Sequence, residues 1–322
     1  MNSAVIGLDT SNYRTSLAAV TLEGEILLNE RTLLPVEKGE RGLRQADAVY
    51  AHLKQIKPLM ERLYSRTGQY RKAAVCASTR PRERAESYMP VFEAGDAIGR
   101  SMAAALGVPF FATDHQSGHI RAAQYGTPLE SETHFLALHL SGGTTDLLLK
   151  REGHLEALGS SLDLHAGQLV DRIGVELGLS FPAGPEMEQL AQKGVSGGRL
   201  GCVMRDRDLS CHLSGAEAQA RRWIAEKSVS PENIAREIFD LLVRTVCRML
   251  TAGESITGEH SALLCGGISS SGLFREMLAE RLKKQRSGLS VHFGRAELSG
   301  DNAVGVALLG ADRVRTSLSG GS

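Results

Sequence analysis

The feature that most constrains the fold of this chain is a repeated pattern. Short apolar or alternating runs separated by turn residues occur at the amino terminus and again from about residue 135. Residues 4–8 and 15–20 bracket the turn-like Asp9, Thr10, Ser11 and Asn12, and residues 25–28 supply a third run. Runs of this length read as strands of a meander. Residues 135–140, a Gly-Gly turn, and residues 146–150 and 154–158 repeat it. Two copies predict two related lobes.

Helical and strand patterns fill the remainder. Val49, Leu53, Ile56 and Leu63 follow a helical period over residues 47–63, residues 73–76 read as a buried strand, and 92–106 as a helix ending near Gly107 and Pro109. Further helices are expected at 163–177, 231–250, 272–284 and 301–314, with strands at 262–265 and 289–293. A duplicated meander plus helices, with glycine turns facing each other, predicts an α/β protein of two lobes around a nucleotide cleft. The expected lobes are residues 1–130 with the helix at 301–315, and residues 131–300. Residues 316–322 are small, polar and Gly/Ser-rich, and are expected to be disordered.

Composition narrows the function classes. The 322 residues are 42% hydrophobic and 23% charged, enough for a real core in each lobe. Lys plus Arg and Asp plus Glu both count 37, so no overall field draws the chain to a polyanion or an anionic lipid surface. Nucleic acid must be met by a local patch. Basic residues cluster at Arg62, Arg66, Arg71 and Lys72, at Arg80, Arg82 and Arg84, and at Lys283, Lys284 and Arg286. Such runs are either contact surfaces or solvated faces. Five widely spaced cysteines without a CxxC pair argue against a disulfide framework and a zinc knuckle. With no apolar run of about 18 residues and no secretory signal, a cytoplasmic protein without a membrane partner is expected.

The chemistry-bearing residues come next. His115 and His119, four residues apart, project from one face of a helix and can share one metal ion; a surface pair is the alternative. Asp301, after a Ser-Gly turn, either caps a helix or completes a His, His, carboxylate set suited to iron, zinc or manganese. His139 is a fourth candidate nitrogen or a core histidine. Asp9, directly after a buried strand, is a site acid or a turn acid. In Ser141-Gly142-Gly143-Thr144 the glycines lack Cβ atoms, so backbone amides can approach phosphate oxygens; a plain hairpin is the alternative. The run Gly266-Gly267-Ile268-Ser269-Ser270-Ser271-Gly272 joins a strand to a helix whose amino terminus can hold an anion. An HExxH motif is absent, which weakens a metalloprotease reading.

The order of these motifs resembles the universal threonylcarbamoyladenosine synthase family of tRNA-modifying proteins, once called the glycoprotease family. The resemblance spans nearly the whole chain. It rests on Gly7-Leu8-Asp9-Thr10-Ser11, the His115 to His119 pentapeptide, Ser141-Gly142-Gly143-Thr144, the stretch from Leu162 to Arg172, Phe181-Pro182-Ala183-Gly184-Pro185, Leu213-Ser214-Gly215, Gly266-Gly267-Ile268-Ser269 and Asp301-Asn302-Ala303.

What the resemblance implies is an actin-like, Hsp70-like ATPase fold built on duplicated RNase H-like meanders. It implies an adenine nucleotide, either ATP/ADP or threonylcarbamoyl-adenylate, between the lobes. One metal, iron or zinc, would be held by His115, His119 and Asp301 as the catalytic set, and His139 stands where some relatives keep a metal-binding Tyr. Gly167, Asp171 and Gly184 would line the nucleotide site, with Ser141 to Thr144 near phosphate and Asp9, Gly266, Gly267 and Ser271 in the same set. The implied activity is transfer of threonylcarbamoyl to the adenosine beside the anticodon of tRNA, with helper proteins of that pathway as partners.

The departures from the family pattern are specific. Tyr13-Arg14 replaces an acidic pair, Ser271 an Asn, Glu217 a Lys, and Arg41-Gly42-Leu43-Arg44-Gln45-Ala46-Asp47 a glycine- and valine-rich loop. Two alternatives therefore stand beside the tRNA synthase: a paralogous carbamoyl-type transferase with another acceptor, and a non-catalytic nucleotide-binding partner of a separate synthase.

Overall fold

A computed structural model describes residues 2–35, 43–84, 86–205 and 209–319. It divides into two units, Met1–Tyr125 with Gly300–Ser322, and Gly126–Ser299.

In the first unit β1 (Ser3–Thr10), β2 (Arg14–Thr21) and β3 (Ile26–Leu33) form the antiparallel meander. Helix α1 (Gln45–Thr67) leads to β4 (Arg71–Ser78), parallel to β1, and α2 (Val91–Leu106) leads to β5 (Phe110–Thr113), parallel to β4. The sheet order is β3-β2-β1-β4-β5. Helix α3 (His115–Gln124) follows β5 after a single residue. Because strand side chains alternate, β1 feeds two cores. Ile6 and Leu8 pack with Leu59 and Leu63 of α1 and Met102 and Ala103 of α2. Val5 and Gly7 face the C-terminal helix, Val304–Ser319, whose Gly310 and Ala307 lie directly on them. Burial on both sides makes β1 a nearly continuous apolar run.

The second unit repeats the plan. Strands β6 (His134–Leu140), β7 (Thr145–Arg151) and β8 (His154–Ser160) form an antiparallel meander. Helices α4 (Ala166–Glu176) and α5 (Gly184–Lys193), the hairpin β9 (Val203–Arg205) and β10 (Ser210–His212), and helices α6 (Ser214–Glu226) and α7 (Pro231–Thr257) follow. Then come β11 (Ser261–Cys265), α8 (Gly272–Lys284) and β12 (Ser290–Phe293). The order β12-β11-β6-β7-β8, with β11 parallel to β6 and β12, reproduces the first sheet strand for strand. The core joins Leu136, Leu138 and Leu147 of the sheet to Phe239, Leu242, Val246 and Leu250 of α7. Each such side chain contributes about 1.5–3 kcal/mol through burial.

Several elements differ from the sequence expectation. Helix α4 starts at Ala166 rather than 163, because Asp163 is tied to the backbone N–H groups of Leu164 and Leu213. Helix α7 continues to Thr257 and stops at Gly258, whose φ of 75° is left-handed. The C-terminal helix begins at Val304, three residues beyond Asp301, where Asn302 Oδ1 accepts the Val304 N–H. It runs to Ser319, so residues 316–319 are helical instead of disordered; residues 320–322, like Arg41 and Gly42 of the divergent loop, lie outside the described residues. Gln45, Ala46 and Asp47 of that loop open α1. Strand β5 and helix α5 were not anticipated; β5 has four residues, and α5 buries only Met187 and Ala191, too few to set a period. Among the described residues no helix is long and apolar enough to cross a membrane.

Candidate functional site

The first unit carries a convergent cluster of metal-ligand types. Asp114 caps α3 by accepting from Ser117 N at 2.8 Å and Ser117 Oγ at 2.5 Å, which fixes the helix start. The following turn stacks His115 and His119, their rings edge to face with centroids 4.5 Å apart. Asp301 arrives from the other end of the chain. Its approach depends on a glycine crossing between α3 and the C-terminal helix: a Cβ on Gly305 would stand 1.8 Å from Gly118 O, and one on Gly118 would stand 2.9 Å from Val306 Cγ2. Only two glycines permit backbones that close.

The resulting distances are 3.1 Å between His115 Nε2 and His119 Nε2, 3.2 Å from His119 Nε2 to Asp301 Oδ1, and 3.7 Å from His115 Nε2 to Asp301 Oδ1. Ligands about 2.1 Å from a tetrahedral ion stand roughly 3.4 Å from one another. The three atoms therefore fit one small divalent cation, and two imidazoles with a carboxylate suit iron or zinc.

Behind the ligands lie residues that orient them. His115 Nδ1 lies 2.8 Å from Asp9 Oδ1, which also accepts from Ser78 Oγ at 2.5 Å. A carboxylate at Nδ1 selects the tautomer whose Nε2 lone pair faces the cluster. Asp9, expected at the nucleotide, is fully buried with its Oδ1 on His115. Ser11 Oγ donates to Asp301 Oδ2 at 2.6 Å. Burial pulls the His115 imidazole down, but Asp9, Asp301 and Asp114 outweigh it and hold it up at about 9. Burial raises Asp301, yet the His119 hydrogen bond, both imidazoles and Ser11 keep it far below the ordinary carboxylate range. Both shifts come from crowding two imidazoles against Asp9 and Asp301, and a cation binding here would displace the proton that His115 otherwise keeps. Ser11 and Ser78 escaped the sequence reading as orienting groups, since hydroxyls at strand ends carry no pattern of their own.

The second unit gathers the glycine motifs at one end of its sheet. The 141–144 turn closes through Ser141 N to Thr144 O at 2.8 Å, and Gly142 and Gly143 have open space where a Cβ would be. A Cβ on Gly167 would lie 2.6 Å from Gly142 N, so the first turn of α4 sits against this loop. Gly266, at φ 93°, presses on Leu140 O and the His139 ring. Thus Ser141, Gly142, Gly143, Thr144, Gly167, Gly266 and Gly267 come together. Asp171 accepts from Ala183 N at 2.8 Å and also bonds the Gly184 backbone, fixing the entry to α5; burial raises its carboxyl against those bonds. Ser271 caps α8 by accepting from Phe274 N at 3.1 Å. Glu188, which sequence reasoning missed, accepts from Leu273 N at 2.8 Å and joins α5 to that helix start. His139 is buried on β6 of this unit, and the ligand atoms that converge among the described residues are those of His115, His119 and Asp301.

The basic clusters divide. Arg62 pairs with Glu30, and Lys72 donates to Tyr70 O. Lys284 reaches Glu280 at 4.0 Å on an exposed helix face. Those residues have local work that needs no nucleic acid.

The model of the tRNA N6-adenosine threonylcarbamoyltransferase family, TsaD, matches residues 39–308. The chain belongs to the TsaD family. Among solved structures it is similar to HypF of T. kodakarensis, with a TM-score of 0.63 and 14% identity over 98% of this chain and 48% of that one. It is also similar to component A of the (R)-2-hydroxyglutaryl-CoA dehydratase of Acidaminococcus fermentans, with a TM-score of 0.57, 13% identity and coverage of 97% and 99%. A third is the ROK family glucokinase of Streptomyces griseus, in complex with glucose and AMPPNP, with a TM-score of 0.54, 13% identity and coverage of 95% and 99%. At such identities these likenesses establish the fold, the actin-like and Hsp70-like ATPase architecture with its duplicated sheet. TsaD membership adds the kind of chemistry, transfer of a carbamoyl-type acyl group.

Proposed function

We propose that this protein transfers a threonylcarbamoyl group from threonylcarbamoyl-adenylate to N6 of the tRNA adenosine beside the anticodon, at a centre formed by His115, His119 and Asp301. The observation that carries the reading is the convergence of those three ligand atoms, all within 4.8 Å of one another, in a member of the TsaD family. When bound there, an iron or zinc ion would supply a Lewis acid for carbamoyl or phosphate oxygens. Asp9 holds the Nδ1 proton of His115, and Ser11 holds Asp301, so neither ligand needs to reorganise.

In the reaction the adenosine amine attacks the carbamoyl carbon, forming a C–N bond. The bond from that carbon to the phosphate oxygen breaks, AMP leaves with its electron pair, and the proton lost by the amine passes to solvent water. The open 141–144 turn, with Gly167 and Gly266 beside it, supports an adenine nucleotide or adenylate in the second unit, and Asp171 and Gly184 support its far side. A tRNA acceptor implies work in the cytoplasm, alongside the proteins that make the adenylate.

One observation favours a second reading, a related transferase with a different acceptor. Tyr13 and Arg14 occupy the turn whose Ser11 holds Asp301, where relatives carry acids. The deciding experiment incubates zinc- or iron-loaded protein with threonylcarbamoyl-adenylate and unmodified ANN-decoding tRNA, with and without a known family partner. Nucleoside mass spectrometry should then detect threonylcarbamoyladenosine, and His115→Ala should abolish it. Protein that holds its metal and makes none in either tube would favour the second reading.

A further inference from the structure

Two arginines converge over Gly300, the residue before the ligand Asp301. Ser11 N donates to Arg14 O at 3.2 Å, closing the turn between β1 and β2, while the Ser11 hydroxyl holds Asp301. One turn thus fixes a ligand and presents Arg14. On the neighbouring strand, Ser16 opposes Arg31 and Arg14 opposes Leu33, so Arg14 and Arg31 are diagonal neighbours on one face of the sheet. Both reach the same point over Gly300, the residue before Asp301. A Cβ built there would stand 3.4 Å from Arg14 Nη1 and 3.8 Å from Arg31 Nη1.

Neither guanidinium has an ion pair or a side-chain hydrogen bond among the described residues. Glu30, adjacent to Arg31 in sequence, is taken by Arg62. Asp301, the acid whose field reaches Arg31, is committed to His119 and Ser11. Burial and the Arg14 charge both work against Arg31 keeping its proton, so the pair is held together at a cost. Two forked cations converging on one point match the oxygens of a carboxylate or phosphate, which can accept from both.

We propose that Arg14 and Arg31 form an anion-binding subsite for a carboxylate or phosphate group on a molecule that reacts at the His115, His119 and Asp301 centre. The inference rests on that centre being the site of transfer. The anion has two possible sources, the carboxylate of the threonyl group on the donor or a phosphate of the acceptor. Tyr13, 59% exposed on the same turn, offers a ring beside whichever molecule enters.

The test is calorimetric titration of zinc-loaded full-length protein with N-carbamoyl-L-threonine and, separately, with inorganic phosphate. At least one probe should bind the parent, and Arg14→Gln and Arg31→Gln should each weaken it about 10- to 100-fold, the loss expected for one charge-assisted hydrogen-bonding partner. Arg14→Lys should recover part of the binding, and added salt should weaken it. Binding of the carbamoyl-threonine alone assigns the subsite to the donor; binding of phosphate alone assigns it to the acceptor. Neither probe binding, or a double Gln variant that binds like the parent, overturns the proposal. Among the described residues Arg31→Gln breaks no side-chain hydrogen bond or ion pair, so it keeps the test valid even where Arg14→Gln disturbs the turn. Arginine-dependent probe binding without threonylcarbamoyladenosine formation would count against the tRNA reading alone, because binding requires no transfer.

Discussion

His115 and Asp9 are joined by a 2.8 Å contact from imidazole Nδ1 to a fully buried carboxylate oxygen, across 106 positions of sequence. The contact leaves Nε2 of His115 directed at His119 and Asp301. Replacing Asp9 by Asn removes the charge that selects this tautomer, and zinc affinity should fall about 10- to 100-fold. Competition with a chromophoric chelator measures the change. Unchanged affinity in a folded variant would separate Asp9 from metal binding.

The crossing of α3 and the C-terminal helix leaves no room for a side chain. In Gly305→Ala the new methyl would meet Gly118 O at 1.8 Å and Ala122 N at 2.7 Å, both backbone atoms that cannot step aside. We expect a loss of about 3 kcal/mol or more, at the upper end of overpacking. Zinc binding should weaken with it, since the same crossing sets where Asp301 lies. Chemical denaturation with a parallel metal titration gives both values, and a loss below the error of the denaturation curve would refute the crossing as a constraint.

Asp163 gathers donors at the start of α6. It accepts from Leu213 N at 2.8 Å, Leu164 N at 2.5 Å and Ser214 Oγ at 2.5 Å. Burial raises its carboxyl, but Ser214, Leu213 and Leu164 together bring it down to about 2. A folded value below the unfolded one means the group stabilises the protein above about pH 4 and loses that contribution as pH falls toward its folded value. Asp163→Ala should therefore cost about 1 kcal/mol at neutral pH, as for a lost cap. The gap to the parent should close in denaturation curves taken between about pH 4 and 2; a constant gap would rule out the carboxylate as its cause.

The cysteines should differ sharply in reactivity. The hydrogen bond from Cys211 lowers Cys202 below the ordinary thiol range, against burial and with help from Thr245. Burial pushes Cys76 and Cys265 up to about 12. Iodoacetamide at pH 7 should label Cys202 first and leave Cys76 and Cys265 untouched in the folded protein. Peptide mass spectrometry over a pH series reads this out, and Cys211→Ala, which removes the donor, should slow the labelling of Cys202. Equal labelling of all five would contradict the assignment.

Much of this protein is written in contiguous segments. The two meanders, the strand after each and the long α7 are legible because alternation and helical period depend on neighbours a few positions apart. The His115 and His119 pair is legible for the same reason, as four residues make one turn of helix. Short elements with few buried positions, such as β5 and α5, gave no period to read.

Tertiary structure alone decided what the pair meets. Asp301 lies 182 positions beyond His119, and its arrival depends on a helix crossing that two glycines permit. Asp9 follows a buried strand, as a nucleotide-site acid or a turn acid would, but the register of β1 against β4 sets it beside Ser78, where it backs His115. Arg14 and Arg31 are unremarkable in the sequence and become neighbours only through the pairing of β2 with β3 and the path of the chain at Gly300. Local periodicity is fixed by each segment's own geometry, whereas these juxtapositions exist only once sheet register and helix packing are set.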